Sequence, residues 1–319
     1  MSFDLSKAFD KVNHDILINK LTGKGLPSRF VEWIRSYLTN RTFRVRFQDA
    51  YSRKRTSQVG VPQGSVLGPA LFCVMVGDFS CADTHSSLTL YADDFTIVTG
   101  ATACEIGKII HEENTNFATW CDLNKQQHNT DKSQLLILTR SPVSFEQHPL
   151  PIGVRENMKI LGVHINNKLT WHDHVDETCK KASKRLRILR VLKPFTFPEE
   201  LHQVYVTSVR SVFDYACTLF VGLDTGLSKR LQRIDKRAHR IMYNDKHLCA
   251  CDKDSLRKRR ELLSLKLFHE ILRTKHHILR DCLPPSLPSA NRLRSFHCRT
   301  ERRQRSFFPK CTILHNQPQ

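Results

Sequence analysis

Two adjacent carboxylates, Asp93 and Asp94, sit between two short runs with alternating apolar residues, 87–91 and 95–99. That alternation predicts two strands, and the acids at their junction predict a hairpin with paired anions at its tip. Adjacent anions repel, so a fold that holds them near a turn needs a counter-charge. A divalent cation with oxygen ligands supplies one. A solvated Asp-Asp turn is the competing reading of the pair taken alone.

The charge balance bears on that choice. The chain has 319 residues and a net charge of +19, unevenly placed. Residues 1–179 hold 19 Lys and Arg against 19 Asp and Glu; residues 180–319 hold 31 against 12 and carry the whole excess. Such a polycation attracts a polyanion by counterion release, and nucleic acid is the expected partner, against a solvated helical face or a localisation signal. With 40% hydrophobic residues the chain can bury a core, and its length suits two domains or one with an extension. Its 11 Cys lack framework spacing and no signal peptide opens it, so an intracellular protein is expected, nuclear or cytoplasmic and not secreted. The longest apolar stretch, 66–79, is broken by Gly68, Pro69, Gly77 and Asp78, which excludes a bilayer span there.

Helical spacing predicts a helix over 7–21, with Ala8, Val12, Ile16 and Leu17 on one side. A second is expected over 28–38, capped by Ser28 and burying Phe30, Trp33, Ile34 and Tyr37. Phe43, Val45 and Phe47 alternate with Arg44 and Arg46, which predicts a half-buried strand with a cationic face and a return strand near 58–61. Residues 65–79 and 104–121 read as helices, the latter with Ile106, Ile109, Ile110, Phe117 and Trp120 as its stripe; 135–139 and 159–165 read as strands. This order predicts an α+β fold with a mainly antiparallel sheet. Beyond Trp171 long helical patterns take over, at 174–192, 199–219, 227–243 and 256–280, with Lys180, Lys181, Lys184, Arg185 and Arg187 off the apolar stripe. The Arg-rich tail from Ser289 has little periodicity and is expected to be loosely ordered. Cys298, Cys311 and His315, with His297 beside them and Cys249 and Cys251 upstream, have zinc-like spacing. No Cys-x₂-Cys pair anchors it, so reduced cysteines are the preferred reading.

Phosphoryl transfer needs carboxylates that hold metal ions against the phosphates and the attacking oxygen. Asp93 and Asp94 supply part of such a site, and Asp4 supplies another part if its strand lies beside the hairpin. Between them, residues 60–69 hold three Gly and two Pro, which fix an unusual backbone path and allow close approach. Alone, that segment reads as a tight loop before a helix.

Together these segments resemble a known family. Residues 4–10 (Asp-Leu-Ser-Lys-Ala-Phe-Asp), 60–69 (Gly-Val-Pro-Gln-Gly-Ser-Val-Leu-Gly-Pro) and 91–94 (Tyr-Ala-Asp-Asp) are similar to the palm motifs of reverse transcriptases, nearest to non-LTR, jockey-like retrotransposons. Asn129 and Lys132, then Leu161-Gly162-Val163, then Leu169-Thr170-Trp171 with His174, fit further motifs in order, so the resemblance covers essentially the whole chain.

The resemblance implies a palm over 1–166, a helical thumb over 167–250 and a basic extension over 251–319. It implies an RNA-directed DNA polymerase that takes an RNA template, a DNA primer and deoxynucleoside triphosphates. Two Mg²⁺ ions, with Mn²⁺ as an alternative, would be held by Asp4 and Asp93 with Asp94 in support. Phe9 would be the gate against a 2′-hydroxyl, although as a core aromatic it has an equally ordinary role. Gln63 and Gly64 would line the nucleotide pocket. Lys132 would act near the pyrophosphate, and Leu161 and Gly162 near the primer end. Asp10 is expected to be structural, through helix-start electrostatics. Family members carry a fingers region before the position of Asp4. The fingers are therefore expected to be largely missing, the sheet around Asp4 frayed, and the chain inactive or nearly so alone. The alternative is a non-catalytic nucleic-acid-binding remnant that uses the basic helical half.

Both readings predict salt-sensitive binding of a primer–template duplex. Raising salt from about 50 to 200 mM should weaken it by roughly a thousandfold or more if the basic half neutralises six or more phosphates. An affinity that is flat across that range in a filter-binding titration would exclude this role for the charge.

Overall fold

A computed structural model describes residues 1–102, 104–139, 150–243, 255–286 and 292–317. The chain divides into two units, Met1–Leu161 and Gly162–Gln319. In order, the first carries β1 (Ser2–Phe3), a 3₁₀ turn (Ala8–Lys11), α1 (His14–Gly23) and α2 (Ser28–Leu38). Four short strands follow: β2 (Arg41–Phe43), β3 (Arg46–Phe47), β4 (Ala50–Tyr51) and β5 (Arg55–Ser57). Then come α3 (Leu67–Val76), β6 (Ser87–Tyr91), β7 (Asp94–Val98), α4 (Ile106–Leu123) and β8 (Asn157–Ile160).

The alternating runs around the acids form a hairpin. β6 and β7 pair antiparallel from Ser87↔Val98 to Tyr91↔Asp94. Ala92 takes φ 51°, the left-handed turn conformation, in the two-residue connection. β1 adds on the other side of β7, with Ser2↔Thr96 and Phe3↔Phe95, so the sheet order is β1-β7-β6. The free edge of β1 is covered too. Ser2 and Gln134 exchange both backbone hydrogen bonds (2.8 and 2.9 Å), and the Asn129 amide donates to the Asp4 carbonyl at 2.9 Å. The sheet around Asp4 is therefore paired on both sides, not frayed as expected.

Beneath the sheet lies an aromatic core. Phe3 stacks on Phe117 at 4.4 Å, and Phe95 meets Phe79, Phe117 and Trp120 edge-on or tilted. Ile110, Phe117 and Trp120 come from the stripe predicted for α4. The carboxylate of Glu113, fully buried on the same helix, accepts from the backbone amides of Ala82 and Asp83 at 3.1 and 3.0 Å. That satisfies the buried charge and ties down the connection from α3 to β6.

Several expectations are corrected. The helix expected over 7–21 is two pieces, because Lys7 is left-handed and Val12 is extended in ψ. The break frees the Phe9 and Val12 carbonyls to accept from Val61 and Gly60 (2.9 and 2.7 Å). In α2 the buried stripe is Val31, Ile34 and Leu38, while Phe30 and Trp33 are 58% and 57% exposed. A helix that packs on one side buries one narrow stripe, and these rings point away from it. Phe43, Val45 and Phe47 do not form a half-buried strand but lie exposed in two small hairpins, β2–β5 and β3–β4. The return strand is β5, ending before 58–61. Residues 135–139 make only an isolated bridge, at Leu135.

The second unit begins with β9 (Val163–Asn166). Helices follow: α5 (His172–Leu192), α6 (Pro198–Val204), a π-helical stretch (Tyr205–Arg210), α7 (Ser211–Asp214), α8 (Thr225–Tyr243), α9 (Leu256–Arg273), α10 (Glu301–Arg305) and α11 (Phe307–Asn316). Leu186, Leu189, Val209, Phe213, Leu231 and Ala238 form the core shared by α5, the π-helical stretch, α7 and α8. The helix expected over 199–219 ends at Asp214, since Ala216 is left-handed. The tail, expected to be loose, is helical in part: α11 packs Cys311 and Phe308 with Phe268 of α9. Cys249, Cys251 and Ser289 lie outside the described residues. Lys180, Lys181, Lys184, Arg185 and Arg187 stand exposed on α5, opposite Val175, Ala182 and Leu186. Among the described residues no helix is long and apolar enough to cross a membrane.

His174 is buried on α5 beside Trp171 and Phe220. Burial first, then His164 and Lys181, depress its pKa below the ordinary 6.5. A histidine that is depressed in the folded state stabilises the fold above its unfolded pKa, and that contribution is lost as pH falls through the folded value. Thermal unfolding measured from pH 7 to 5 should therefore show a destabilisation that is shallower in His174→Gln. An identical slope in the variant would refute this.

Candidate active site

Continuing the β1–β7 register by one residue places Asp4 opposite Asp94, since Phe3 already faces Phe95. Directly opposed residues in an antiparallel pair bring their Cβ atoms to about 4.5–5.5 Å. Strand pairing, not loop closure, thus joins acids far apart in sequence. Asp93 occupies the turn beside them. The electrostatics agree with that placement: the Asp94 carboxyl is pushed above its ordinary 3.8, by partial burial first, then by Asp93 and Asp4.

Asp4 is held by its backbone. Its carbonyl accepts from Asn129, and its amide donates to the Ser133 hydroxyl at 3.3 Å. Ser133 is in turn at 2.9 Å from Nε2 of His128, whose ring lies edge-on to Phe3 and Phe117. One carboxylate oxygen of Asp4, Oδ2, is buried without a hydrogen bond, and Lys132 Nζ stands 3.7 Å from it. Lys132 and Asp4, read separately from the sequence, are thus brought together. Ser133 and His128 were missed, because a single hydroxyl and a single imidazole carry no spacing signal.

The glycine-rich loop is held against the broken helix. Gly60 has φ 86°, and a Cβ there would sit 2.7 Å from the Asp10 carbonyl, so only glycine fits. The Gln63 amide donates to the Asp10 carboxylate at 2.9 Å. Asp10 is therefore a partner of the loop, rather than only a helix-start charge. Gly64 has φ 81° with open space where a Cβ would stand. Phe9 is half-buried and stacks on Phe72 of α3 at 4.3 Å. Leu161 and Gly162 form the β8–β9 turn, with φ of 46° and 85°, the pair of positive values that a tight hairpin turn requires.

Among the described residues no group of three or more His, Cys, Asp or Glu makes a ready metal cage, and that covers His297, Cys298, Cys311 and His315. His315 instead meets His269 at 3.1 Å, and Cys311 is buried. The acids still suit Mg²⁺. This ion binds through one or two carboxylates plus substrate phosphates and waters, not through an all-protein cage. The Asp4 oxygen that lacks a hydrogen bond, 3.7 Å from the Lys132 ammonium, and the Asp94 carboxyl, raised by partial burial first and then by Asp93 and Asp4, are hard oxygen donors of the kind Mg²⁺ takes.

Comparison with known proteins gives a consistent picture. The sequence model of the family described as reverse transcriptase (RNA-dependent DNA polymerase) matches residues 1–165. The chain is 30% identical over 255 residues to the probable RNA-directed DNA polymerase from transposon BS of Drosophila melanogaster, covering 75% of this chain and 28% of that protein. It is likewise 30% identical over 255 residues to the probable RNA-directed DNA polymerase from transposon X-element of the same species, covering 75% and 27%. To the RNA-directed DNA polymerase from mobile element jockey of Drosophila funebris it is 28% identical over 199 residues, covering 59% and 21%. The chain thus spans little more than a quarter of the first two relatives.

A carboxylate whose folded pKa is raised costs stability once pH exceeds both values, as it does at pH 7. In metal-free buffer at pH 7, Asp94→Asn should therefore melt above the parent chain, and the gap should close well below pH 3.8. Equal melting at neutral pH would refute a net cost of the Asp94 charge to the fold.

Proposed function

The chain belongs to the reverse transcriptase (RNA-dependent DNA polymerase) family, among the non-LTR, jockey-like retrotransposon enzymes, and on that premise we propose that it is an RNA-directed DNA polymerase module acting through Asp4, Asp93 and Asp94. In this reading residues 1–166 are the palm, 167–250 the thumb and 251–319 a basic extension. The substrates are an RNA template, a DNA primer and deoxynucleoside triphosphates.

The observation that carries the reading is the register that faces Asp4 with Asp94, beside an orphaned carboxylate oxygen. Two divalent ions, when bound, supply Lewis-acid stabilisation of the entering and leaving oxygens of an in-line displacement. Asp4 and Asp93 would hold them, with Asp94 in support. Lys132, whose ammonium stands by Asp4, balances the charge of the leaving pyrophosphate and donates a proton to it. Gln63 and Gly64 line the nucleotide pocket, and the Asp10 carboxylate orients the Gln63 amide. Phe9, braced on Phe72, closes the side on which a 2′-hydroxyl would sit. Leu161 and Gly162 steady the primer end from the hairpin turn. The exposed Lys and Arg of α5 track the phosphates of the template–primer duplex without reading bases.

That basic face also supports a second reading, a binding protein without catalysis. Primer extension separates the two. On an RNA template with Mg²⁺ or Mn²⁺, residues 1–319 should show synthesis, however weak, that falls about a hundredfold or more in Asp93→Asn, equivalent to ~3 kcal/mol of transition-state stabilisation. Tight binding of the primer–template with no Asp93-dependent synthesis under either ion would leave the binding reading standing and refute catalysis by residues 1–319 on their own.

A further inference from the structure

The segment that least obeys the usual rules of burial lies away from the acids. The β2–β5 and β3–β4 hairpins hold Phe43, Phe47 and Tyr51 at 55%, 73% and 51% exposure. A monomeric surface seldom leaves such a cluster of large rings open without a use for it. The same segment is strongly cationic: residues 41–55 contain six Lys and Arg against one acid, Asp49. Asp49 lies 4.0 Å from Arg46, and Arg44, Arg53, Lys54 and Arg55 have no carboxylate partner among the described residues. The guanidinium of Arg44 lies 4.1 Å from the centre of the Tyr51 ring, and that of Arg46 lies 5.7 Å from it. Rings and cations are interleaved rather than sorted into separate patches.

That mixture selects among occupants. The centre of a protein interface is depleted in charge, which this strip is not. A duplex hides the faces of its bases and leaves exposed rings nothing to stack on. An unpaired strand offers both a π-face and a phosphate at each nucleotide, and aromatic side chains set in a cationic groove are how such strands are held. We propose that the twin hairpin of residues 41–57 is a binding strip for single-stranded nucleic acid, with Phe43, Phe47 and Tyr51 stacking on unpaired bases and Arg44, Arg46 and their neighbours holding the phosphates. The strip is tied to the glycine-rich loop: Arg41 donates to the Gly60 carbonyl at 3.4 Å, and the Ser57 hydroxyl donates to the Val59 carbonyl at 2.7 Å. A strand held there is continuous with the loop that carries Gln63. Its identity as unpaired RNA template rests on the polymerase reading; its binding does not.

The test is a titration of residues 1–319 with a short unpaired RNA, the same RNA in a duplex, and an abasic strand of equal length. The triple variant Phe43→Ala, Phe47→Ala, Tyr51→Ala should lose about tenfold or more in affinity for the unpaired RNA. Its affinity for the abasic strand and its salt slope should match the parent. Because the rings are exposed, the thermal midpoint should hold; if the triple variant misfolds, Phe47→Ala against Phe47→Tyr reads the same effect, with only the alanine weakening binding. Unchanged affinity for unpaired RNA would overturn the proposal. So would a variant that loses self-association, or binding to anionic vesicles, while keeping its RNA affinity. Binding is read without synthesis, so a failure of Asp93-dependent extension would sink the polymerase reading alone.

Discussion

The short pairing of β1 with β7 is the constraint on which the candidate site rests. Only Ser2 and Phe3 are strand, yet their register decides which residue faces Asp94. Carboxylates on directly opposed residues repel by roughly 1–3 kcal/mol if their charges come as close as their Cβ atoms, at effective dielectrics between water and a protein surface. Against this stand the rings immediately below. Phe3 and Phe95 are fully buried, and truncating a buried Phe costs about 3–5 kcal/mol each. Core packing therefore dominates, and the carboxylates are held close despite their repulsion. The Asp94 carboxyl is raised by partial burial first and by Asp93 and Asp4 second, and a nearby divalent cation favours its charged form against both.

The second unit solves a different problem with the same physics. Its helices bury Leu, Val and Phe on one side and leave Lys and Arg on the other, so a strongly basic chain folds without bringing its charges together. Some of the polar groups that enter that core are paired there. The Tyr205 hydroxyl and the Gln232 amide both donate to the Asp235 carboxylate, and Arg259 grips Asp214 with two nitrogens. Such partners are what make buried polar groups tolerable. The cationic surface that results is an electrostatic consequence of the helical pattern and needs no further architecture.

Much of this was legible beforehand. The β6–β7 hairpin follows the period-two alternation around the acids, and the α4 stripe of Ile110, Phe117 and Trp120 is buried as its spacing requires. The errors fall where a local pattern met a tertiary demand. A helical pattern over 7–21 gives way at Val12, because the Gly60 and Val61 amides take the freed carbonyls. Phe30, Trp33 and Phe47 are apolar, which predicts burial, but no element of the described chain comes to cover them. In the tail an Arg-rich sequence conceals a small apolar face, and α11 folds because Phe268 is there to receive it.

By itself, then, the amino-acid order determined the hairpin, the glycine-rich loop, the helical faces and the polarity of the charge, since each depends on neighbours within a few residues. The company each residue keeps was decided by the tertiary structure alone: Asp4 across from Asp94, Lys132 and Ser133 around Asp4, Asp10 with Gln63. Those contacts join positions tens of residues apart through backbone register and core packing. A register is a property of two strands at once, so no pattern within either one specifies it.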